Sequence, residues 1–326
     1  METPPPTEEA NALSDNLDSL EALGFVRVMR GVDAQIFSGY RDHEGLLDDG
    51  PLEAAEAAVQ AASAALAAGG VVTITGCGTS GRVAHLVARR MNRLMPTAPP
   101  SFDYLISGGD PALLLSDELP EDDPLAGAKE LAELATGRSA CFLIGVSCGL
   151  SAPYVAGQVD YALSCSPIGA APSGTTGWAA AAMGFNPASL SRDNPVAGLH
   201  TGGSFRDVCA ALVQSSKQSS KRGCSMYQLI NPVVGPEAVA GSSRMKGGTT
   251  TLILADAICY RATQLSKGMP APSIEAALGR AHEAMRATYK QARDIAKVCE
   301  HAAAAMRGGG RLYYVGEGSA GVLGCI

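Results

Sequence analysis

The sequence predicts an α/β fold built on a parallel, doubly wound sheet flanked by helices. Three observations carry that expectation. Short β-branched runs alternate with longer apolar segments at helical spacing between Val71 and Val146. Glycine and proline are plentiful, 38 and 19 of 326 residues, while aromatics make up only 5%, which suits Ala-rich helices and Gly-rich loops better than an aromatic-cored sandwich. Polar loops recur at the carboxyl ends of the expected strands, where ligands bind in such sheets.

The elements follow in order. Residues 1–10, with Pro4, Pro5, Pro6, Glu8 and Glu9, read as a disordered leader. Leu17, Leu20, Leu23, Phe25, Val28 and Val32 fall at helical spacing and predict helical structure over 17–38. Pro51 opens a long Ala-rich helix that Gly69-Gly70 stops, with proline at the front and glycine at the back as helix ends prefer. Val71–Thr75 reads as a buried strand, the loop Gly76–Arg82 follows, and Arg82–Leu94 reads as a helix. Phe102–Ile106 is a second strand closed by Gly108-Gly109-Asp110, Leu125–Leu134 a helix, and Cys141–Val146 a third strand ending in Ser147-Cys148-Gly149-Leu150-Ser151. Ser164–Gly177, rich in Ser, Pro and Gly, reads as a flexible surface insertion. Met226–Ile230 is a last short strand, a helix is expected from about Ser242 to Gln264, and Ile274–Met306 is mostly helical. Finally, Arg311–Val315 and Gly316-Glu317-Gly318-Ser319-Ala320-Gly321 repeat the strand and glycine pattern of Val71–Gly81, which reads as the truncated start of a second copy of the fold.

Composition removes several function classes. A formal charge of −7 argues against general nucleic-acid binding, which needs a basic surface. The nine cysteines are scattered, with no CxxC pair, and the five histidines form no HExxH pattern, so neither a disulfide framework nor a metal centre is expected. No apolar run reaches the ~18 residues of a membrane span, and the N-terminus suits neither a signal nor a transit peptide. The expected compartment is the cytoplasm.

The loops carry the chemistry. Gly76, Gly78 and Gly81 satisfy G-x-G-x-x-G after a strand, so an NAD-dependent enzyme is one alternative. The acid that would bind ribose, expected about 20 residues on, is not in place; Asp110 is the nearest and comes late. A monophosphate suits the loop better. A helix N-terminus offers free N–H groups and partial positive charge, and Thr79 and Ser80 add hydroxyls. The Ser147–Ser151 loop offers a second half. Charge-assisted hydrogen bonds contribute about 1.5–3 kcal/mol each, so four or five reach the roughly 8 kcal/mol of micromolar binding. Tight turns with serine caps would explain either loop alone. Gly241-Ser242-Ser243-Arg244-Met245-Lys246-Gly247-Gly248 is a third helix start, whose basic first turn opposes the helix dipole unless an anion or a partner carboxylate stands there. Glu118, Glu121, Asp122 and Asp123 are either acceptors for sugar hydroxyls or a solvated acidic turn.

Taken together, Gly78-Thr79-Ser80-Gly81-Arg82, Gly108-Gly109-Asp110 with Glu118 and Glu121-Asp122, Gly235-Pro236-Glu237 and Gly241–Gly248 resemble the sugar isomerase (SIS) domain family. More narrowly, over residues 11–326 they resemble the group that joins glucokinase regulatory proteins with N-acetylmuramic acid 6-phosphate etherases. Tyr104–Asp110, Ile144–Pro153 and Gly184-Phe185-Asn186-Pro187 are more similar to the regulatory branch.

The resemblance implies residues 1–50 as leader and helical segment, 51–270 as a first SIS domain, 271–307 as connecting helices and 308–326 as the start of a second SIS domain. It implies a phosphosugar site of Gly78, Thr79 and Ser80 at the phosphate, Ser147 and Gly149 beside it, Glu118 and Glu121 on sugar hydroxyls, and Ser243 and Arg244 completing the wall. It further implies no cofactor, a fructose 6-phosphate or fructose 1-phosphate ligand, inhibition of a glucokinase or hexokinase partner, and a nuclear as well as a cytoplasmic location. The etherase's first glutamate falls within Arg89-Arg90-Met91, at Arg90, and its second at Glu118. The reading is therefore a non-catalytic sensor, with an etherase-type lyase or a phosphosugar isomerase as the alternative and Glu118 as its catalytic residue.

Overall fold

The computed structural model describes residues 4–115, 119–165, 177–220, 226–242 and 244–316. Helices α1 (Ala22–Ser38) and α2 (Asp49–Ala67) precede a run of β1 (Val71–Gly76), α3 (Gly78–Leu94), β2 (Phe102–Ile106), α4 (Pro124–Ala135), β3 (Ala140–Val146), α5 (Pro153–Ser164), β4 (Gly177–Met183), α6 (Phe205–Ser220) and β5 (Tyr227–Ile230). Helices α7 (Lys246–Ser266), α8 (Ile274–Tyr289) and α9 (Ala292–Arg307) follow. The strands form one parallel sheet in the order β2-β1-β3-β4-β5.

Both faces of the sheet are covered, and the pleat decides which side chain goes where. Val72 and Ile74 of β1, Phe142 and Ile144 of β3, and Ala181 and Met183 of β4 join the core under α2, α3 and α7. Their neighbours Val71, Cys141, Leu143, Ala180 and Ala182 join the opposite core, under α4, α5 and α6. The register aligns Gly76 with Ile106 on one side and with Val146 on the other, and Val146 with Met183. The strands therefore stop level, and the loops that leave them gather along one edge.

Four expectations need correction. The leader is not free: Pro6–Glu8 form a 3-10 turn, Thr7 is buried, and Glu9 accepts hydrogen bonds from Tyr40 and Arg41. Its proline-rich composition is outweighed by partners far away in sequence. The glycine loop is shorter than expected, since α3 already begins at Gly78. The helix expected from Ser242 begins at Lys246. Arg311–Gly316 form no strand and are exposed; a strand needs a sheet edge to pair with, and none meets this segment among the described residues. The rest of that glycine pattern, Glu317–Gly321, and most of the expected insertion, residues 166–176, lie outside the described residues. Helices α5 and α6 and strand β4 were not expected. No helix among the described residues is long and apolar enough to cross a membrane.

Candidate functional site

In a sheet of order β2-β1-β3-β4-β5, the chain leaves β1 toward one edge and β3 toward the other. The crevice between their carboxyl ends is the switch point where such sheets hold ligands. A cavity of about 480 Å³ opens there. Six chain segments line it.

The first wall is the start of α3. Gly78 has φ +48°, which an L side chain adopts only at a cost, and this turns the chain from strand into helix within one residue. Gly81 is needed for space: a Cβ there would lie 2.4 Å from Ile106 Cγ1 and 2.7 Å from the Gly76 carbonyl oxygen. The tight strand–helix packing points the helix N-terminus into the cavity, and no side chain caps it. Its free N–H groups and partial positive charge are of the kind that suits an anion. Thr79 and Ser80 line it. Burial, then the Glu121 charge, pushes the Cys77 thiol well above its ordinary range, so the helix cap stays neutral.

The second wall is the turn after β3. Ser147 Oγ accepts hydrogen bonds from the backbone N–H of Ser151 (3.0 Å) and Ala152 (3.2 Å), which leaves its own proton to donate. Leu150 takes the left-handed conformation, φ 52°, unusual for a branched residue and held by complete burial of its side chain. Gly149 lines the cavity beside Ser147. Ser80 Oγ lies 3.6 Å from Cys148 Sγ, so the two hydroxyl-bearing loops touch.

Glu121 and Asp122 form the third wall, on a short 3-10 turn from Leu119 to Asp122. Glu121 Oε1 stands 3.7 Å from where a Cβ on Gly78 would lie, next to the phosphate-type loop. Arg192 is the cation sequence reasoning missed. It lines the cavity and reaches Asp122 Oδ1 (3.4 Å) and the Ser151 carbonyl (3.3 Å).

The fourth wall holds Gly241 and Arg244, before α7. The partner carboxylate that a basic helix start demands is Glu237. Its two oxygens accept the backbone N–H of Lys246 and of Gly247, each at 2.8 Å. Burial raises the Glu237 carboxyl, opposed by those two bonds. Of the two cations in the motif only Arg244 faces the cavity. Lys246 turns inward, fully buried, and donates to Gln35 Oε1 (2.6 Å) and the Val234 carbonyl (2.7 Å). Burial lowers its ammonium to about 8.

Thr7 and Glu8, from the segment expected to be a disordered leader, complete the cavity. Gly78, Thr79, Ser80, Glu121, Ser147, Gly149 and Arg244 are thus brought together. Glu118 and Ser243 lie outside the described residues. Arg90 is not at this cavity; it pairs with Asp256 of α7 and lines a separate cavity with Leu86 and Tyr260. Asp110, the nearest acid for a dinucleotide ribose, accepts a 2.6 Å hydrogen bond from Tyr104 and does not line the cavity.

A family model described as the N-terminal SIS domain of glucokinase regulatory protein matches residues 53–163, the stretch from α2 to α5 that contains both hydroxyl-bearing loops. Residues 53–163 match the SIS-domain family. Among curated relatives, the glucokinase regulatory protein of Xenopus laevis is 32% identical over 338 residues, 100% of this chain and 51% of the relative. The Homo sapiens protein of that name is 32% identical over 333 residues, 98% of this chain and 50% of the relative. An N-acetylmuramic acid 6-phosphate etherase from Gloeobacter violaceus is 29% identical over 248 residues, 76% of this chain and 64% of the relative. The chain therefore spans about half the length of the regulatory proteins it matches and resembles both branches of the group.

Proposed function

We propose that the protein binds a phosphosugar of the fructose 6-phosphate or fructose 1-phosphate type and uses that binding to control a glucokinase or hexokinase partner, without turning the sugar over. The observation that carries the reading is the meeting of the α3 N-terminus with the Ser147–Gly149 turn in one cavity, faced by carboxylates. Helix N–H groups and the hydroxyls of Thr79, Ser80 and Ser147 suit a phosphate. Glu8 and Glu121 suit sugar hydroxyls, since carboxylates accept and cannot donate. Arg192 and Arg244 offset the acidic rim, and Glu118 and Ser243 belong to the same site by family resemblance. The relatedness to glucokinase regulatory proteins supports the kinase partner, with the cytoplasm or nucleus as its place of action. The test is inhibition of a purified glucokinase by this protein, with and without fructose 6-phosphate. Inhibition that the sugar phosphate alters supports the reading; a kinase indifferent to the protein removes the regulatory half of it.

A second reading, an etherase-type lyase, is favoured by the etherase relatives. It requires two carboxylates. Arg90 stands where one is expected and is engaged with Asp256, away from the cavity. Lactate release from N-acetylmuramic acid 6-phosphate would establish that activity.

A further inference from the structure

The N-terminal segment is stitched to the elements that build the cavity. The Thr7 backbone N–H donates to Asn186 Oδ1 (2.9 Å), and Asn186 Nδ2 donates back to Thr7 Oγ1 (2.8 Å) and to the Gly149 carbonyl (3.2 Å). The N–H donor fixes which way the amide points, and Asn186 is only 1% exposed. Farther along, Asn11 donates to the Pro236 carbonyl (2.8 Å) and Ser14 to the Ala238 carbonyl (2.7 Å), on the segment that leads to Arg244. Glu9 is held by Tyr40 and Arg41. Both neighbours of Glu8 are therefore fixed, while its own carboxylate meets only the Thr7 hydroxyl, at 3.5 Å, among the described residues. Glu8 lines the cavity.

Such a group is ill suited to the phosphate end of a ligand, where like charges repel, and well suited to a hydroxyl, which donates to it. We propose that residues 4–14 are a built wall of the phosphosugar pocket and that Glu8 determines specificity by accepting a hydroxyl of the bound sugar. This rests on the phosphosugar reading above. Asn186, bridging Thr7 to the Gly149 carbonyl, positions that wall against the loop that meets the phosphate.

Calorimetric titration of fructose 6-phosphate and of inorganic phosphate into the wild type, Glu8→Gln and Glu8→Ala tests this. Glu8 is exposed, so unchanged melting temperatures are expected in both variants. Loss of a charge-assisted bond at a solvent-exposed rim weakens fructose 6-phosphate about tenfold in Glu8→Ala, and less in Glu8→Gln, which keeps an acceptor. Inorganic phosphate has no sugar hydroxyl and loses a repelling neighbour, so its affinity holds or rises slightly. Unchanged fructose 6-phosphate affinity in both variants, or a parallel loss for both ligands, overturns the role of Glu8 while the phosphosugar reading stands. A wild type that binds neither ligand overturns both.

Discussion

Ser80 Oγ and Cys148 Sγ lie 3.6 Å apart, and this contact joins the loop after β1 to the loop after β3 across the sheet's switch point. Ser80 and Ser147 nevertheless have different duties. Among the described residues the Ser80 hydroxyl is partnered by the Cys148 thiol alone, whereas Ser147 holds the N–H groups of Ser151 and Ala152.

Ser80→Ala is therefore expected to weaken phosphosugar binding by about 1.5–3 kcal/mol, the worth of a charge-assisted bond, at nearly unchanged stability. Ser147→Ala is expected to weaken binding by a similar amount and also to lower stability by about 1 kcal/mol, because two backbone donors lose their acceptor. Calorimetry and denaturant melts measure the two quantities separately. Unchanged affinity in both variants would place the phosphate elsewhere.

The glycines of the first loop make a second contrast. Gly81→Ala forces a Cβ against the Gly76 carbonyl, which is backbone and cannot swing aside, so it should cost about 1–3 kcal/mol of stability. Gly78→Ala meets only Glu121 Oε1, at an ordinary contact distance of 3.7 Å, and bears the conformational cost of positive φ, about 1–2 kcal/mol. Both variants should lose phosphate affinity, since both shift the α3 N-terminus. Urea denaturation with and without inorganic phosphate reads each effect.

How far the sequence led is visible in these same elements. Strands β1 and β3 were legible because their β-branched and apolar runs end in glycine and serine loops, and that Thr79, Ser80, Ser147 and Gly149 line one cavity followed from their place at strand ends. Strand β4 was not legible. Its Ala179-Ala180-Ala181-Ala182 run favours a helix by intrinsic preference and becomes a strand only between β3 and β5. The signal for α6 was present in Phe205, Val208, Cys209 and Leu212, which recur at helical spacing and are all buried. Thr7 and Glu8 were missed because their partner Asn186 is 179 residues away from Thr7, and no local pattern announces such a contact.

Glu237 offers a test of how the Arg244 wall is held. Glu237→Ala strips the two N–H groups at the start of α7 of their acceptor and removes a negative neighbour of the buried Lys246 ammonium. A loss of about 2 kcal/mol or more is expected, since each buried donor left unsatisfied costs about 1–3 kcal/mol. Glu237→Gln keeps one acceptor and should cost less. Thermal melts at neutral pH rank the two.

The buried ammonium of Lys246 also predicts a pH signature. Burial lowers it to about 8 from 10.5, opposed by Glu237 and Asp33, so between those values the unfolded chain binds more protons than the folded one. Stability linked to this group must then rise with pH from about 8 to 10.5 and stay flat below. Tyr289, which donates to Asp33 and is itself raised by burial, acts oppositely above pH 10. The difference in unfolding free energy between the wild type and Lys246→Met isolates the lysine. It should climb across that window; a difference that falls there would contradict the assignment.

The central claim is that the crevice between β1 and β3 holds a phosphosugar monophosphate. Calorimetric titration of fructose 6-phosphate into the wild-type protein tests it most directly, with inorganic phosphate as competitor. Saturable binding in the micromolar range, displaced by phosphate and weakened at least tenfold in Ser80→Ala, is the predicted result. No heat with fructose 6-phosphate or fructose 1-phosphate, together with saturable heat on adding NAD, would contradict it.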